Sequence, residues 1–382
     1  MSTGQYSQEQ LQQLPNKYRN AEFVDRPAGP PAPVFADAPA WSPSPETVQP
    51  QWSPEARAMP SAATYEAREF QPAGPDDGNR SARLGVREEG PQQGWRMYLN
   101  KLPGVHLRKG DDEKNFDRRI AQIRRTLAHP KTVAVLSGKG SAGKTITALN
   151  LGATVAKYQR GEKIVAASID PLGNITDRTR GVNDQKPRSV VSLAADTELR
   201  RDSAAVGSYL LTDSSGLRVL GSSSADGATF LTSENLEKAH STLRDYFHFN
   251  LTVLDFGLNI DSSVYHTGLA LADQLILVAS TTADSIDELD KLIETLKRFG
   301  GKYIDLVKNA VVVFVQTIPG KGHIDVNNER TRIVNTYKIP VVTIPWDAHI
   351  SEGGPMSLEL LDKQTQLRYV ELAAEVMTKL PD

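Results

Sequence analysis

The residues Gly138, Lys139, Gly140, Ser141, Ala142, Gly143, Lys144, Thr145 and Ile146 form one uninterrupted run, and their types and spacing suit the binding of a polyphosphate. A glycine, four residues, then Gly-Lys-Thr is the spacing of a Walker A loop. Glycines let successive backbone N–H groups turn inward onto phosphate oxygens, and a helix that starts where the loop ends adds partial positive charge. Lys144 would then reach the β and γ phosphates, and Thr145 would ligate Mg²⁺. Lys139 places a second cation beside them. Two carboxylates downstream extend the set. Asp170 follows the apolar run Lys163 to Ile169, and Asp255 ends the run Leu-Thr-Val-Leu-Asp that begins at Leu251. An acid at the carboxyl end of a strand beside such a loop can orient an attacking water, the role assigned to Asp170, or hold Mg²⁺, usually through water, the role assigned to Asp255. The alternative for Asp170 is an Asp-Pro turn that merely caps its strand. No Asn-Lys-x-Asp guanine signature occurs in the chain, so the expected ligands are ATP and Mg²⁺.

Regular elements must hold these side chains, and the hydrophobic pattern supplies them. Lys131 to Ser137 is an apolar, β-branched run that reads as a buried strand. A helix is predicted over Thr145 to Tyr158, then a strand over Lys163 to Ile169. Further strands are predicted at Arg218 to Gly221, Leu251 to Asp255, Gln274 to Ser280, Ala310 to Thr317 and Val341 to Ile344. Helices are predicted at Asn235 to Phe247, Ser262 to Ala272, Ser285 to Phe299 and about Leu358 to Leu380. Strands without polar alternation, separated by helices, predict a parallel sheet covered on both faces. The expected fold is therefore α/β, a doubly wound and mainly parallel sheet of the P-loop NTPase kind, occupying residues 131 to 382.

Four places in that domain resemble the MinD/ParA family of ATPases. The family's deviant Walker loop reads K-G-G-x-G-K-[ST], and here Lys139 to Thr145 match it with Ser141 in place of one glycine. Ser168 to Asn174 resemble the family's D-x-D-P-Q-G-N, with Ser168 for the first acid and Leu172 for glutamine. Asp255 is followed by Phe256-Gly257-Leu258 where a Thr-Pro segment is usual. Ile344-Pro345-Trp346-Asp347 and the turn Gly353-Gly354-Pro355 are similar to the family's I-P-x-D segment and the turn that closes over adenine. The resemblance implies that Gln316, Pro345 and Asp347 lie at the base, and that Lys139 reaches across an ATP-dependent homodimer to the partner's nucleotide. It also implies slow hydrolysis that resets a dimer switch, with Lys139, Lys144 and Asp170 as the catalytic set. Ser141, Ser168 and Leu172 leave open a nucleotide-binding scaffold with negligible turnover.

Outside that domain the composition changes. Residues 1 to 94 hold 14 of the 23 prolines and only twelve Val, Leu, Ile, Met or Phe residues, too few to offset the ordering of 94 backbones. A disordered Pro/Ala/Gln-rich tail is expected, with Trp41-Ser42-Pro43 and Trp52-Ser53-Pro54 as repeated anchors for a protein partner. Residues 95 to 130 are expected to form a basic amphipathic linker. The run from Trp95 to Lys131 carries ten Lys and Arg against four Asp and Glu, and places Phe116, Ile120, Ile123 and Leu127 at helical spacing. Tail, basic helix and ATPase in this order resemble the EspI-type, MinD-like ATPases of type VII (ESX) secretion, which implies regulation of a secretion apparatus. A partition or positioning ATPase that binds DNA non-specifically is the alternative. With no cysteine in the chain, a disulfide framework and a thiolate metal site are excluded. No apolar run approaches a membrane span, and the polar start lacks a signal peptide's regions, so a cytoplasmic protein is expected.

Overall fold

A computed structural model describes residues 110–171, 173, 175–182, 189–196, 207, 209–222, 230–320 and 324–381. The expected tail, the linker up to residue 109, Leu172 and Asn174 lie outside the described residues. Eight strands form one sheet: β1 (Lys131–Leu136), β2 (Ile164–Ser168), β3 (Leu211–Thr212), β4 (Arg218–Leu220), β5 (Leu251–Asp255), β6 (Gln274–Ser280), β7 (Val311–Val315) and β8 (Val341–Ile344). Their spatial order is β3-β4-β2-β5-β1-β6-β7-β8. Every neighbouring pair is parallel except β3 with β4, so the mainly parallel, doubly wound reading holds.

The helices are α1 (Asp111–Ile123), α2 (Lys144–Tyr158), α3 (Val190–Ala195), α4 (Ser233–Ser241), α5 (Ser263–Leu271), α6 (Ala283–Phe299), α7 (Lys302–Lys308), α8 (Val326–Tyr337), α9 (Ala348–Ser351) and α10 (Lys363–Lys379). Because successive strand side chains point to opposite faces, β1 feeds two cores at once. Ala134 and Leu136 join a core with Leu236 of α4, Leu269 of α5, Leu289 of α6 and Ile333 of α8. Val133 and Val135 join another with Ile123 of α1, Leu151 of α2 and Leu372 of α10. The helix of the basic segment is thus part of the second core. Arg119 pairs with Glu371 at 3.4 Å, and the Arg125 guanidinium donates to the carbonyls of Met377 and Leu380 at 3.1 and 3.2 Å. Among the described residues no helix is long and apolar enough to cross a membrane.

Two helix boundaries and one further helix differ from expectation, each for a local reason. The last long helix begins at Lys363, because Leu358–Leu360 form a separate 3-10 turn and Asp362 is extended, with ψ 146°. The helix expected to run to Phe247 ends at Ser241 and continues as a π turn, Thr242–Tyr246. Helix α8 was not expected at all. Ile333 is its only buried residue, so it shows almost no apolar period, although Asp325 caps it by accepting from the N–H groups of Asn327 and Asn328.

Candidate nucleotide-binding site

Strand order sets the location. β1 lies between β5 and β6, and the chain leaves it toward β2 on one side and toward β6, β7 and β8 on the other. Ligands of open α/β sheets bind beyond the carboxyl ends of the strands at such a reversal. The register brings those ends level: Val135 of β1 and Ser168 of β2 both pair with Asp255 of β5.

The loop from Ser137 to Gly143 joins β1 to α2 there. The Ser137 hydroxyl donates to the Lys139 carbonyl at 2.7 Å. Gly138 packs so closely on α6 that a Cβ would stand 2.5 Å from the Glu288 carbonyl oxygen. Gly143 has φ +96°, and a Cβ on it would lie 3.2 Å from Val315 of β7. Ser141 has φ +61°, the left-handed conformation that glycine adopts freely and an L-residue at a cost of about 1–2 kcal/mol. The departure from the glycine pattern therefore leaves the loop's backbone path open and places its cost in the serine.

Behind the loop the polar groups converge. The Thr145 hydroxyl donates to Asp255 Oδ2 at 2.8 Å. Asp255 is 1% exposed, and burial raises its carboxyl to about 6 against the opposing pull of the Thr145 hydrogen bond and Lys144. Its Oδ1 is buried and has no hydrogen-bond partner among the described residues. Burial lowers Lys144, while Asp255 and Asp170 raise it, so these three charges share one small region. A threonine hydroxyl beside a buried carboxylate with an orphaned oxygen is an all-oxygen donor set, and it fits a hard divalent cation such as Mg²⁺. Asp170 stands at the rim. Its carbonyl accepts from Gly173 N–H at 2.9 Å, closing the turn, and its carboxyl lies 3.3 Å from where a Cβ on Gly257 would be.

Lys144, Thr145 and Asp170 border an open cavity of about 540 Å³, and Asp255 lies buried behind its lining. Gly140, Ser141, Gly143, Lys144, Thr145 and Ile146 line one end, and Asp170 with Leu258 one side. Gln316, Trp346, Asp347, Ile350, Ser351 and Gly353 also line it. Four predicted residues stand elsewhere. Ala142 is buried under the loop, Gly138 is exposed and lies against Glu288 of α6, and Pro345 borders a separate depression with Thr343 and Gln364. Lys139 points outward and pairs with Asp284 at the start of α6, both side chains substantially exposed. Asp347 reaches the wall with its carboxylate engaged: Oδ1 accepts from His349 and Ile350 N–H at 3.0 and 3.4 Å, and Oδ2 from Asp362 N–H at 2.9 Å. It therefore shapes the lip of the cavity and ties it to the start of α10. Gln316 accepts from Trp346 N–H at 3.3 Å. Arg178, Val315 and Leu258 also line the cavity, and sequence reasoning did not single them out. An arginine in a polar stretch, two residues from Arg180, carries no pattern, and Val315 reads only as strand core. The position of Leu258, three residues after Asp255, is the one usable signal.

Comparison with known proteins agrees with this geometry. The family model "CobQ/CobB/MinD/ParA nucleotide binding domain" matches residues 133–354. The ESX-1 secretion-associated protein EspI of Mycobacterium tuberculosis is 29% identical over 296 residues, covering 74% of this chain but 42% of that protein, so the chain spans less than half the length of this relative. The septum site-determining protein MinD of Synechocystis is 27% identical over 180 residues, 47% of this chain and 64% of that one. A ParA family ATPase from Chlorobium tepidum has a likeness in fold, with TM-score 0.52 and 17% identity over 64% of this chain and 98% of that structure. With more than half of its length matched and a phosphate-loop site at the switch point of its sheet, the chain belongs to the CobQ/CobB/MinD/ParA nucleotide-binding domain family.

Proposed function

We propose that this chain is a MinD/ParA-like switch ATPase that binds ATP with Mg²⁺, dimerises in the ATP state and hydrolyses it slowly, in the service of a type VII secretion apparatus. The observation that carries the reading is the convergence of Lys144, Thr145 and Asp255 behind one glycine-rich loop with Asp170 at its rim. Lys144 neutralises charge on the terminal phosphates, and the loop's N–H groups orient them. Thr145 and Asp255 would hold Mg²⁺, which when bound would draw charge from the phosphate oxygens. Asp170, at the rim, positions water in line with the terminal phosphate. The outward placement of Lys139 supports a role between subunits: its pair with Asp284 is exposed and therefore weak, so a second subunit's nucleotide can displace it. A cation supplied across an interface accelerates phosphoryl transfer by about 10³ to 10⁵ fold where it acts as an arginine finger does.

The similarity to EspI supports the secretion role, with residues 1 to 94 as the partner-binding arm and residues 95 to 130 as its root. One observation favours a second reading, a nucleotide-binding scaffold with negligible turnover. Where the family pattern has an acid, Ser168 is buried and its hydroxyl accepts from Asp170 N–H at 3.3 Å. The DNA-binding alternative draws less support, since Arg119 of α1 and Arg125, just after it, are engaged by α10.

Solution mass with ATP and Mg²⁺, with ADP, and with Lys139→Ala plus ATP tests the switch. The expected result is a dimer with ATP alone, absent in the variant; a monomer under all three conditions refutes it. Phosphate release by Asp170→Ala separates the two readings, because no change from an already negligible rate leaves the scaffold.

A further inference from the structure

We infer that Arg178 holds the nucleobase, its guanidinium plane lying on one face of the base. This rests on the nucleotide-binding reading above and adds a base-contacting residue to it. The phosphate end of the cavity already has its cation in Lys144, flanked by Asp255 and Asp170. Arg178 stands at the cavity's lip, beside Gly353. Its Nη1 is 3.3 Å from where a Cβ on Gly353 would lie, and Gly353 shares that lip with Ile350 and Ser351. Gly353 has φ +73°, so the side chain that would crowd the guanidinium is missing at a position that disfavours any L-residue.

The segment carrying Arg178 is anchored. Met356 N–H donates to the Arg178 carbonyl at 2.7 Å, and Arg180 N–H donates to the Met356 carbonyl at 3.4 Å. Thr179 and Met356 thereby form a short parallel bridge. The side chain projects into the cavity from a held backbone, which lowers the ordering cost of any contact it makes.

The charge of Arg178 is not answered within the fold. It is half-buried, and among the described residues no carboxylate forms an ion pair with it. Asp213, the acid bordering the adjacent crevice, has Oδ1 engaged by Ser215 N–H, the Ser215 hydroxyl and Leu217 N–H at 2.9, 2.6 and 2.9 Å. A guanidinium is planar and weakly hydrated, so it lies against a flat π face at little desolvation cost, which an ammonium does not. Its contact with the Gly353 turn, and the separate cation Lys144 already at the loop, therefore assign it to the base rather than to the phosphates.

The test is calorimetric titration of the full chain with ADP and with inorganic tripolyphosphate, each with magnesium, for the wild type, Arg178→Lys and Arg178→Gln. Both substitutions are expected to weaken ADP about tenfold or more, within the range for a base stacked on a side chain, and to leave tripolyphosphate unchanged. Unchanged tripolyphosphate affinity also shows that the loop is intact in the variants. Retained ADP affinity in Arg178→Lys overturns the proposal, because charge and not the plane would be acting. Equal losses for ADP and tripolyphosphate overturn it in favour of a phosphate contact. The lysine variant decides the matter independently of the tripolyphosphate arm. A wild type that fails to bind ADP removes the nucleotide-binding reading itself, whereas wild-type binding that neither substitution weakens removes only the role of Arg178.

Discussion

His240 predicts a specific loss of stability in mild acid. It lies on α4, 6% exposed, with Nε2 at 2.8 Å from the Thr132 hydroxyl at the start of β1. Thr132 N–H in turn donates to Asp273 Oδ2 at 2.7 Å. Burial, helped by nearby Arg244, lowers the imidazole from 6.5 to about 4, against the opposing pull of Asp273 and Asp245. A base whose folded value lies below its unfolded value takes up its proton preferentially in the unfolded chain. Its contribution is therefore complete above pH 6.5 and is lost as pH falls toward 4. The displacement corresponds to about 3 kcal/mol in full, of which about 2 kcal/mol has gone by about pH 5. The assay is urea unfolding without nucleotide at about pH 7.5 and about pH 5, for the wild type and His240→Gln. Glutamine can keep a hydrogen bond to Thr132 and does not titrate. Carboxylates common to both proteins cancel in the comparison, so the wild type should lose about 2 kcal/mol more than the variant between the two pH values. Equal losses would show that His240 does not stay neutral in the folded protein, and the reasoning would fail.

Two further substitutions probe the supports of the site. Asp347→Ala removes the acceptor of three backbone N–H groups; it should lower unfolding free energy by about 2–3 kcal/mol and weaken ADP, both read by urea unfolding and calorimetry, with Asp347→Asn intermediate. Gly268→Ala places a Cβ 2.6 Å from Phe256 Cζ and 2.7 Å from Ile169 Cδ1, next in sequence to Asp255 and Asp170. It should cost about 1–3 kcal/mol and reduce ADP affinity. Gly152→Ala is the control, since its Cβ meets only the end of the Leu217 side chain, at 2.8 Å, and ADP affinity should not change.

How far a residue's role could be read in advance depended on where its partners lie in the chain. The glycines, Lys144 and Thr145 act with neighbours a few residues away, so their spacing alone announced the loop. Asp170 and Asp255 were legible because each ends an apolar run, and a strand end is a local property. Lys139 was matched to its pattern by the same local reading, but its pairing with Asp284, 145 residues on, was not visible. Likewise the basic segment read only as an amphipathic linker, and only its packing on α10 shows Arg119 of α1 and Arg125, just after it, at work in that contact.

What the sequence determined by itself was therefore the kind of structure and the chemistry of its centre: buried strands alternating with helices, a phosphate loop after the first strand, and acids closing two others. The rest was decided by strand order. Placing β5 between β1 and β2 puts Asp255 under Thr145, and placing β7 and β8 beyond β6 brings Gln316, Trp346 and the α9 lip over the loop. Arg178 became a wall of the cavity because its backbone meets that of Met356, far along the chain, and Asp347 became a structural acceptor because the turn after β8 brings the N–H groups of His349, Ile350 and Asp362 onto its carboxylate. Hydrophobic periodicity records which face of an element is buried but not against what, so those contacts exist only once the sheet is assembled.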